Sequence, residues 1–479
     1  MNPLYLFFVP AGLAAVSWVL GKNGTLQKAL TFLGLIWTVS LLFVAWKTGF
    51  EGAAVTYPWI QTFGIQLALA INPLNFWFLV LSSIVVFAAQ LYHSSQEPDA
   101  IRGDVMALIF LLQFFLFGVF MAQDLMLFYF CFEASILPIY FISSRYGSPA
   151  AERATLKFFL YTLFGSLFML LAILYMYNST GAANFLYSSF SSTSFSGEVQ
   201  GYLFLAFFLA FAIKMPLFPF HSWQADVYAE SPVESTMLMS GILLKMGIYG
   251  MMVFVLPLFP QGVIEYGYIC IALAAFGVVY GALIAMVQFD IRKVLAFSSL
   301  SHVGLIGAGL LSYTEVSMEG VVLQMFAHGV NIAGLFFISE LITRQTGTRD
   351  LDQMGGLTRA SFGLTVLFFL FLLGSISVPL TNGFPGEFKL LMGLFQYNTI
   401  LGVLCGLTVI FSSVYMLRMF RKAMLGTETT AYLEGFKELS PIRVVGLGLL
   451  VSLVLLLGLF PSVISELSDD ALRNLLLAY

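Results

Sequence analysis

Charge is what this chain has least of. Only 10% of its 479 residues are Asp, Glu, Lys or Arg, against about 25% in an ordinary soluble domain. A water-facing globule of this size is therefore excluded. The net charge of −4 and the lack of any basic run give nucleic acid no surface to bind. Cysteine is scarce too. Cys131, Cys270 and Cys405 lie far apart inside apolar segments, which excludes a disulfide framework and a paired-cysteine metal site, and they read as small buried hydrophobes. No glycine-rich dinucleotide fingerprint, phosphate-binding loop or iron–sulfur cysteine run is present, so no cofactor or metal site and no redox chemistry are expected in this chain. The opening stretch, "MNPLYLFFVPAGLAAVSWVLGKNG", lacks the basic start of a signal peptide. It reads as a retained first helix.

What fills the chain is apolar: 59% hydrophobic and 16% aromatic residues. Stretches long enough to cross about 30 Å of hydrocarbon occur fourteen times, at 3–20, 27–45, 74–92, 105–122, 124–142, 155–177, 201–220, 233–256, 265–287, 292–311, 319–341, 362–390, 398–420 and 441–462. An all-α polytopic membrane protein of about 14 transmembrane helices is expected. Loops after odd-numbered spans hold sixteen Lys and Arg residues, and loops after even-numbered spans hold Lys47 alone. By the positive-inside rule both termini lie on the outer side. Between spans two and three, "FGIQLALAINPLN" alternates like a short external hairpin. Residues 178–200 and 221–232 read as loops, and the end of the chain as a short amphipathic tail.

Some charges do not belong to loops. Lys214 and Lys245 sit inside apolar spans, as do Glu133 and Glu387, with His302 and His328 on two more. A charge at the bilayer centre costs roughly 2.5–3.5 kcal/mol on insertion scales, so such groups mark ion pathways by default. The plain readings are a structural Glu133–Lys pair, a snorkelling Lys245, hydrogen-bonded core histidines, a capping His221 and a Lys389 that merely pairs with nearby Glu387. Against them stands a chemical need. Proton movement through hydrocarbon requires groups that change charge near neutrality, and buried Glu, Lys and His can be tuned to do so.

Two spans also carry helix breakers beside an ionisable residue: "AIKMPLFPFHSW" after Lys214 and "SVPLTNGFPGEFKLL" before Glu387. Spans 7 and 12 are therefore expected to be broken. The breaks lie five spans apart, so spans 4–8 and 9–13 form two copies of a five-helix unit. An odd number of helices inverts the second copy, which is a transporter architecture. The expected division is 1–104 (three spans and the hairpin), 105–256 (first repeat), 257–420 (second repeat) and 421–479 (last span and tail).

The runs "CFEASILPIYF", "LKFFLYTLFGSLFMLLAI", "AIKMPLFPFHSW", "GILLKMGIYG", "DIRKVLAFSSLSHVG", "LQMFAHGV", "TRDLDQMGGL" and "NGFPGEFKLL" resemble the antiporter-like subunits of respiratory complex I, NADH–quinone oxidoreductase. More distantly they resemble multi-subunit cation/proton antiporters and membrane-bound hydrogenases. "TRDLDQMGGL" and "GEF" resemble the M-type branch most. The resemblance implies a proton-translocating relay of Glu133, Lys214, Lys245, His302, His328 and Glu387. Glu133–Lys214 would be the central pair of the first repeat, Lys245 the connecting lysine and Glu387 the terminal group of the second. It also implies a bacterial inner-membrane location and partner subunits, both membrane and peripheral, that hold NADH, FMN, iron–sulfur clusters and quinone. The loop "HSWQADVYAESPVEST" departs from the family at Gln224-Ala225, Tyr228 and Glu234. An antiporter or hydrogenase subunit is the alternative reading, a structural scaffold leaves the buried charges unexplained, and sodium remains open as the transported ion.

Overall fold

A computed structural model describes residues 2–97, 100–191, 195–426 and 439–477. Lys437, counted above among the inner-side bases, lies outside the described residues. In chain order the elements are α1 (Leu4–Leu20), α2 (Gly24–Lys47), β1 (Ala54–Ile60), β2 (Ile65–Ala70), α3 (Pro73–Ser94), α4 (Gly103–Met121), α5 (Leu125–Ala134), α6 (Ile136–Tyr146), α7 (Ala151–Thr180), α8 (Tyr187–Ser191) and α9 (Gly197–Lys214). Next come α10 (Gln224–Glu230), α11 (Val233–Leu238), α12 (Leu244–Gly250), α13 (Leu256–Leu258), α14 (Pro260–Val287), α15 (Ile291–Ser312) and α16 (Glu315–Thr346). The last are α17 (Leu357–Ala360), α18 (Phe362–Ser375), α19 (Gly383–Tyr397), α20 (Thr399–Phe420), α21 (Pro441–Leu459) and α22 (Ser462–Leu477).

Each of the apolar stretches read from the sequence contains helix. Twelve helical runs among the described residues are long and apolar enough to cross a membrane, and α1 and α18 are shorter apolar helices. The chain is an all-α multi-pass membrane protein. Its small sheet is an antiparallel hairpin in which Ala54 pairs with Ala70, and Gly64 at φ +72° makes the turn that an L side chain resists. The alternation in "FGIQLALAINPLN" is the second strand; the first lies upstream. Asp124 ties this hairpin to α5, accepting from Gln66 N at 3.1 Å and from Met126 N and Leu127 N at 2.9 and 3.0 Å.

Contacts divide the chain into two compact units that do not follow sequence order. The first contains Met1–Met215, Ile242–Ile269 and Leu467–Tyr479, and the second contains Pro216–Gly241 and Cys270–Glu466.

Both breaks are present. Helix α9 stops at Lys214, and the chain runs without helix through Pro216 and Pro219 until α10. The segment read as a loop at 221–232 thus contains a helix. At seven residues, with Asp226 and Glu230 in it, α10 is too short and too polar to register as a span. Likewise α8 interrupts the expected loop at 178–200. In the second break Ile376–Asn382 is unwound, with Ser377 at φ 55° and Leu380 at φ 74°. Protein contacts part of this backbone, in line with what a membrane requires: Asn382 N donates to Val454 O at 2.8 Å, and a Cβ added at Gly458 of α21 would meet Leu380 O at 2.3 Å. Pro385 and Gly386, expected within the break, belong to the first turn of α19, where a missing N–H costs nothing.

The C-terminal end of α10 is clamped within the second unit. Arg292, at the start of α15, donates to Ala229 O at 3.0 Å and Ser231 O at 2.9 Å. It also pairs with Glu340 of α16, whose other oxygen takes Arg344 at 2.6 Å. Arg349 bonds Glu230 and Asp290, each at 3.3 Å. Cations at a helix C-terminus satisfy carbonyls that have no helical partner.

Candidate functional site

The first cluster lies in the first unit. Glu133 is the penultimate residue of α5, and Pro138 five residues later has no N–H to give Ala134 O, so the span is interrupted beside the glutamate. Lys214 of α9 acts electrostatically on its carboxyl group, and Ser166 of α7 lies within hydrogen-bonding reach. Lys214 is 2% exposed. Its Nζ sits 4.7 Å from the centre of the Phe132 ring and 5.9 Å from that of Phe158, a cation–π arrangement that partly replaces lost hydration. As the last residue of α9, Lys214 also meets the negative end of the helix dipole. The proline break therefore has an electrostatic use: it ends the helix where a buried cation benefits.

Lys245 is fully buried on α12. Two π-helical turns, Met239–Leu243 and Met251–Val255, flank that helix, and such widened turns gather at functional positions. A Cβ added at Gly247 would lie 2.8 Å from Met215 Cγ, 3.0 Å from Phe211 O and 3.5 Å from Lys214 Cβ. Glycine thus brings α12 onto α9 two residues from Lys245.

The second cluster lies wholly in the second unit. His302 of α15 places Nδ1 2.7 Å from Oε1 of Glu387 on α19. Gln324 of α16 donates to the same oxygen at 3.3 Å. The His328 ring, one turn further along α16, is centred 6.1 Å from that of His302. All four are at least 95% buried. Beside them Ser298, His302, Gln324, His328, Asn331 and Ser375 help enclose a polar cavity of about 10 Å³, about the room one water molecule needs. Asn331 donates to Asn382 in the unwound segment at 3.0 Å, and Tyr415 of α20 to Ser298 at 2.9 Å.

Of the residues singled out from the sequence, Glu133, Lys214 and Lys245 fall around α5, α9 and α12, and His302, His328 and Glu387 around α15, α16 and α19. Lys389 does not pair with Glu387: its ammonium meets Glu319 of α16, because residues two apart face different sides of a helix. His221 stacks with Phe218 at 5.5 Å and meets Tyr280 edge-on at 5.0 Å. Sequence reasoning missed Ser166, Glu319, Gln324, Asn331 and Asn382. Gln324 and Asn331 had a signal, since with His328 they recur at helical spacing along α16. Among the described residues no three His, Cys, Asp or Glu side chains gather as a metal site.

Buried ionisable side chains beside interrupted helices in a multi-pass chain define an ion-translocating membrane protein of the antiporter-like class. A family described as NADH:quinone oxidoreductase/Mrp antiporter, transmembrane region, matches residues 122–413. The chain is 32% identical to NADH-quinone oxidoreductase subunit M of Rickettsia typhi over 88% of its own length and 85% of that protein's. A chain of respiratory complex I from Thermus thermophilus superposes with a TM-score of 0.92 at 29% identity, covering 99% of both chains. A chain of the Mrp complex of a Dietzia species shares the fold at a TM-score of 0.87 and 20% identity, over 99% of this chain and 52% of that one. The chain belongs to the NADH:quinone oxidoreductase/Mrp antiporter family.

Proposed function

We propose that this chain is the M-type proton-translocating subunit of a NADH–quinone oxidoreductase in a bacterial inner membrane, with both termini on the outer side. Protons pass through Glu133, Lys214 and Lys245 in the first unit and His302, His328 and Glu387 in the second. The observation that carries this reading is the His302–Glu387 contact of 2.7 Å, a buried approach of an imidazole to a carboxyl group within the second unit. Spans 4–8 and 9–13 are the two inverted repeats, within the division 1–104, 105–256, 257–420 and 421–479, and each repeat contributes one broken helix.

Electron transfer belongs to partner subunits, which hold NADH, FMN, iron–sulfur clusters and quinone, and neighbouring antiporter-like chains flank this one in the membrane arm. The likeness to subunit M of Rickettsia typhi and to complex I of Thermus thermophilus supports that assembly. A cation/proton antiporter subunit is the second reading, favoured by the fold shared with the Dietzia Mrp complex. Affinity purification of the chain from its native membrane separates the two. Co-purifying subunits with flavin and iron–sulfur absorbance support the first; a set of membrane subunits without either absorbance overturns it.

A further inference from the structure

Helices α16 and α19 face each other in antiparallel register, and the polar residues along the seam form successive cross-contacts. Asn331 meets Asn382 at the unwound segment, Gln324 meets Glu387 at the centre, and Glu319 pairs with Lys389 beyond it. Glycines allow the close approach. A Cβ at Gly386 would sit 2.6 Å from Gln324 Oε1, one at Gly320 2.8 Å from Leu390 N, and one at Gly393 2.5 Å from Thr314 Oγ1. The hydroxyls of Ser312, Thr314 and Ser317 continue the seam, bonded to each other at 2.9 and 3.0 Å.

The contacts differ in exposure. Asn331, Asn382, Gln324 and Glu387 are each at least 97% buried, whereas the side chains of Lys389 and Glu319 are 32% and 25% exposed. Glu319 lies four residues into α16, roughly 6 Å along its axis from the helix start. The pair thus stands between the buried cluster and one end of the bundle. It also disposes of Lys389 as a neutralising partner for Glu387, which keeps His302 and Gln324 instead.

We infer that Glu319, held by Lys389, is the group through which Glu387 exchanges protons with the side of the membrane on which α16 begins. The inference rests on the relay proposed above. A proton leaves the Glu387 carboxyl group and crosses water aligned by the Gln324 amide, which donates and accepts but does not itself transfer. It forms an O–H bond on the Glu319 carboxylate and passes from there to bulk water. Lys389 keeps its proton throughout and returns the carboxylate to its resting contact. The charge bias of the loops makes this the outer side.

The test uses the assembled complex reconstituted in vesicles. Glu319→Cys should be modified by a membrane-impermeant thiol reagent applied to the outer face, against the background of three buried native cysteines; an unmodified thiol there overturns the inference. Proton uptake per electron should fall about tenfold or more in Glu319→Gln, and should stay low in Glu319→Gln/Lys389→Met. A neutral pair commonly replaces an ion pair without loss of structure, so wild-type pumping in the assembled double variant would show a purely structural role and overturn the inference. Glu387→Gln is measured alongside. If it pumps normally, the relay reading itself fails; if it does not and the double variant does, only the exchange step fails.

Discussion

His302 and Glu387 meet inside the second unit with Nδ1 and Oε1 2.7 Å apart, close enough for a proton to pass between them. An imidazole N–H can donate to the carboxylate, or a carboxyl O–H can donate to the imidazole nitrogen. Gln324 donates to the same glutamate oxygen at 3.3 Å. A buried pair already held at proton-transfer distance is what a relay requires, since reorganisation in hydrocarbon is expensive.

Glu387→Gln removes the carboxyl member of the pair and should lower proton uptake per electron about tenfold or more in assembled complex. Glu387→Lys should retain part of it. An ammonium can donate to neutral His302 but repels a protonated one, so only half of the shared-proton cycle remains open. Vesicle proton uptake decides the point, and full activity in the Gln variant would remove Glu387 from the relay.

In the first unit, Glu133→Gln and Lys214→Met should each leave the complex assembled, because a neutral isostere in an apolar span costs little to insert. Pumping and coupled turnover should fall sharply in both. Lys214→Met also loses the contact with the Phe132 ring, worth about 0.5–2 kcal/mol, so it should be the less heat-stable of the two. A near wild-type proton-to-electron ratio in either would leave these residues with a structural role only.

The spans, both breaks and the buried ionisable residues were legible because each rests on composition within one stretch of chain. Lys214 stood out for its cost in lipid, and Pro216 and Pro219 for the backbone bonds they remove. What depends on two distant stretches was not legible. Nothing in "GEFKLL" says that Lys389 turns to Glu319 and Glu387 to His302; that follows from which faces α15, α16 and α19 turn inward. The grouping of Pro216–Gly241 with the second unit is equally a matter of packing. Helix α10 was hidden by its shortness, and the π-helical turns around Lys245 by the absence of any composition that marks them.

The approach of α12 to α9 predicts an asymmetry between glycines. Gly247→Ala would place a methyl group 2.8 Å from Met215 Cγ and 3.0 Å from Phe211 O. The overpacking should cost about 1–3 kcal/mol, more than the roughly 1 kcal/mol that alanine gains in helix propensity. Gly448→Ala on α21 meets nothing within 4 Å and should be neutral or slightly stabilising. Thermal inactivation of assembled complex compares them, and equal midpoints would contradict the close contact beside Lys245.

The clamp on α10 makes the most direct stability prediction. Arg292 is 7% exposed and supplies Ala229 O, Ser231 O and Glu340 together. Arg292→Met keeps the length and apolar stem of the side chain but leaves two helix-end carbonyls without this donor and takes from Glu340 one of its two arginines. Breaking a buried ion pair by removing one partner costs about 3–5 kcal/mol; the half-exposed Arg344 offsets part of that. The loss should be local, so α10 should loosen before the spans do. Limited proteolysis of the purified complex should therefore open cleavage within 221–232 in Arg292→Met while leaving the remaining fragments intact. Glu340→Gln, which keeps a hydrogen-bond acceptor for Arg292, should be cut more slowly. Equal resistance of Arg292→Met and the unaltered chain would mean that Arg349, through Glu230 and Asp290, holds α10 without help from Arg292.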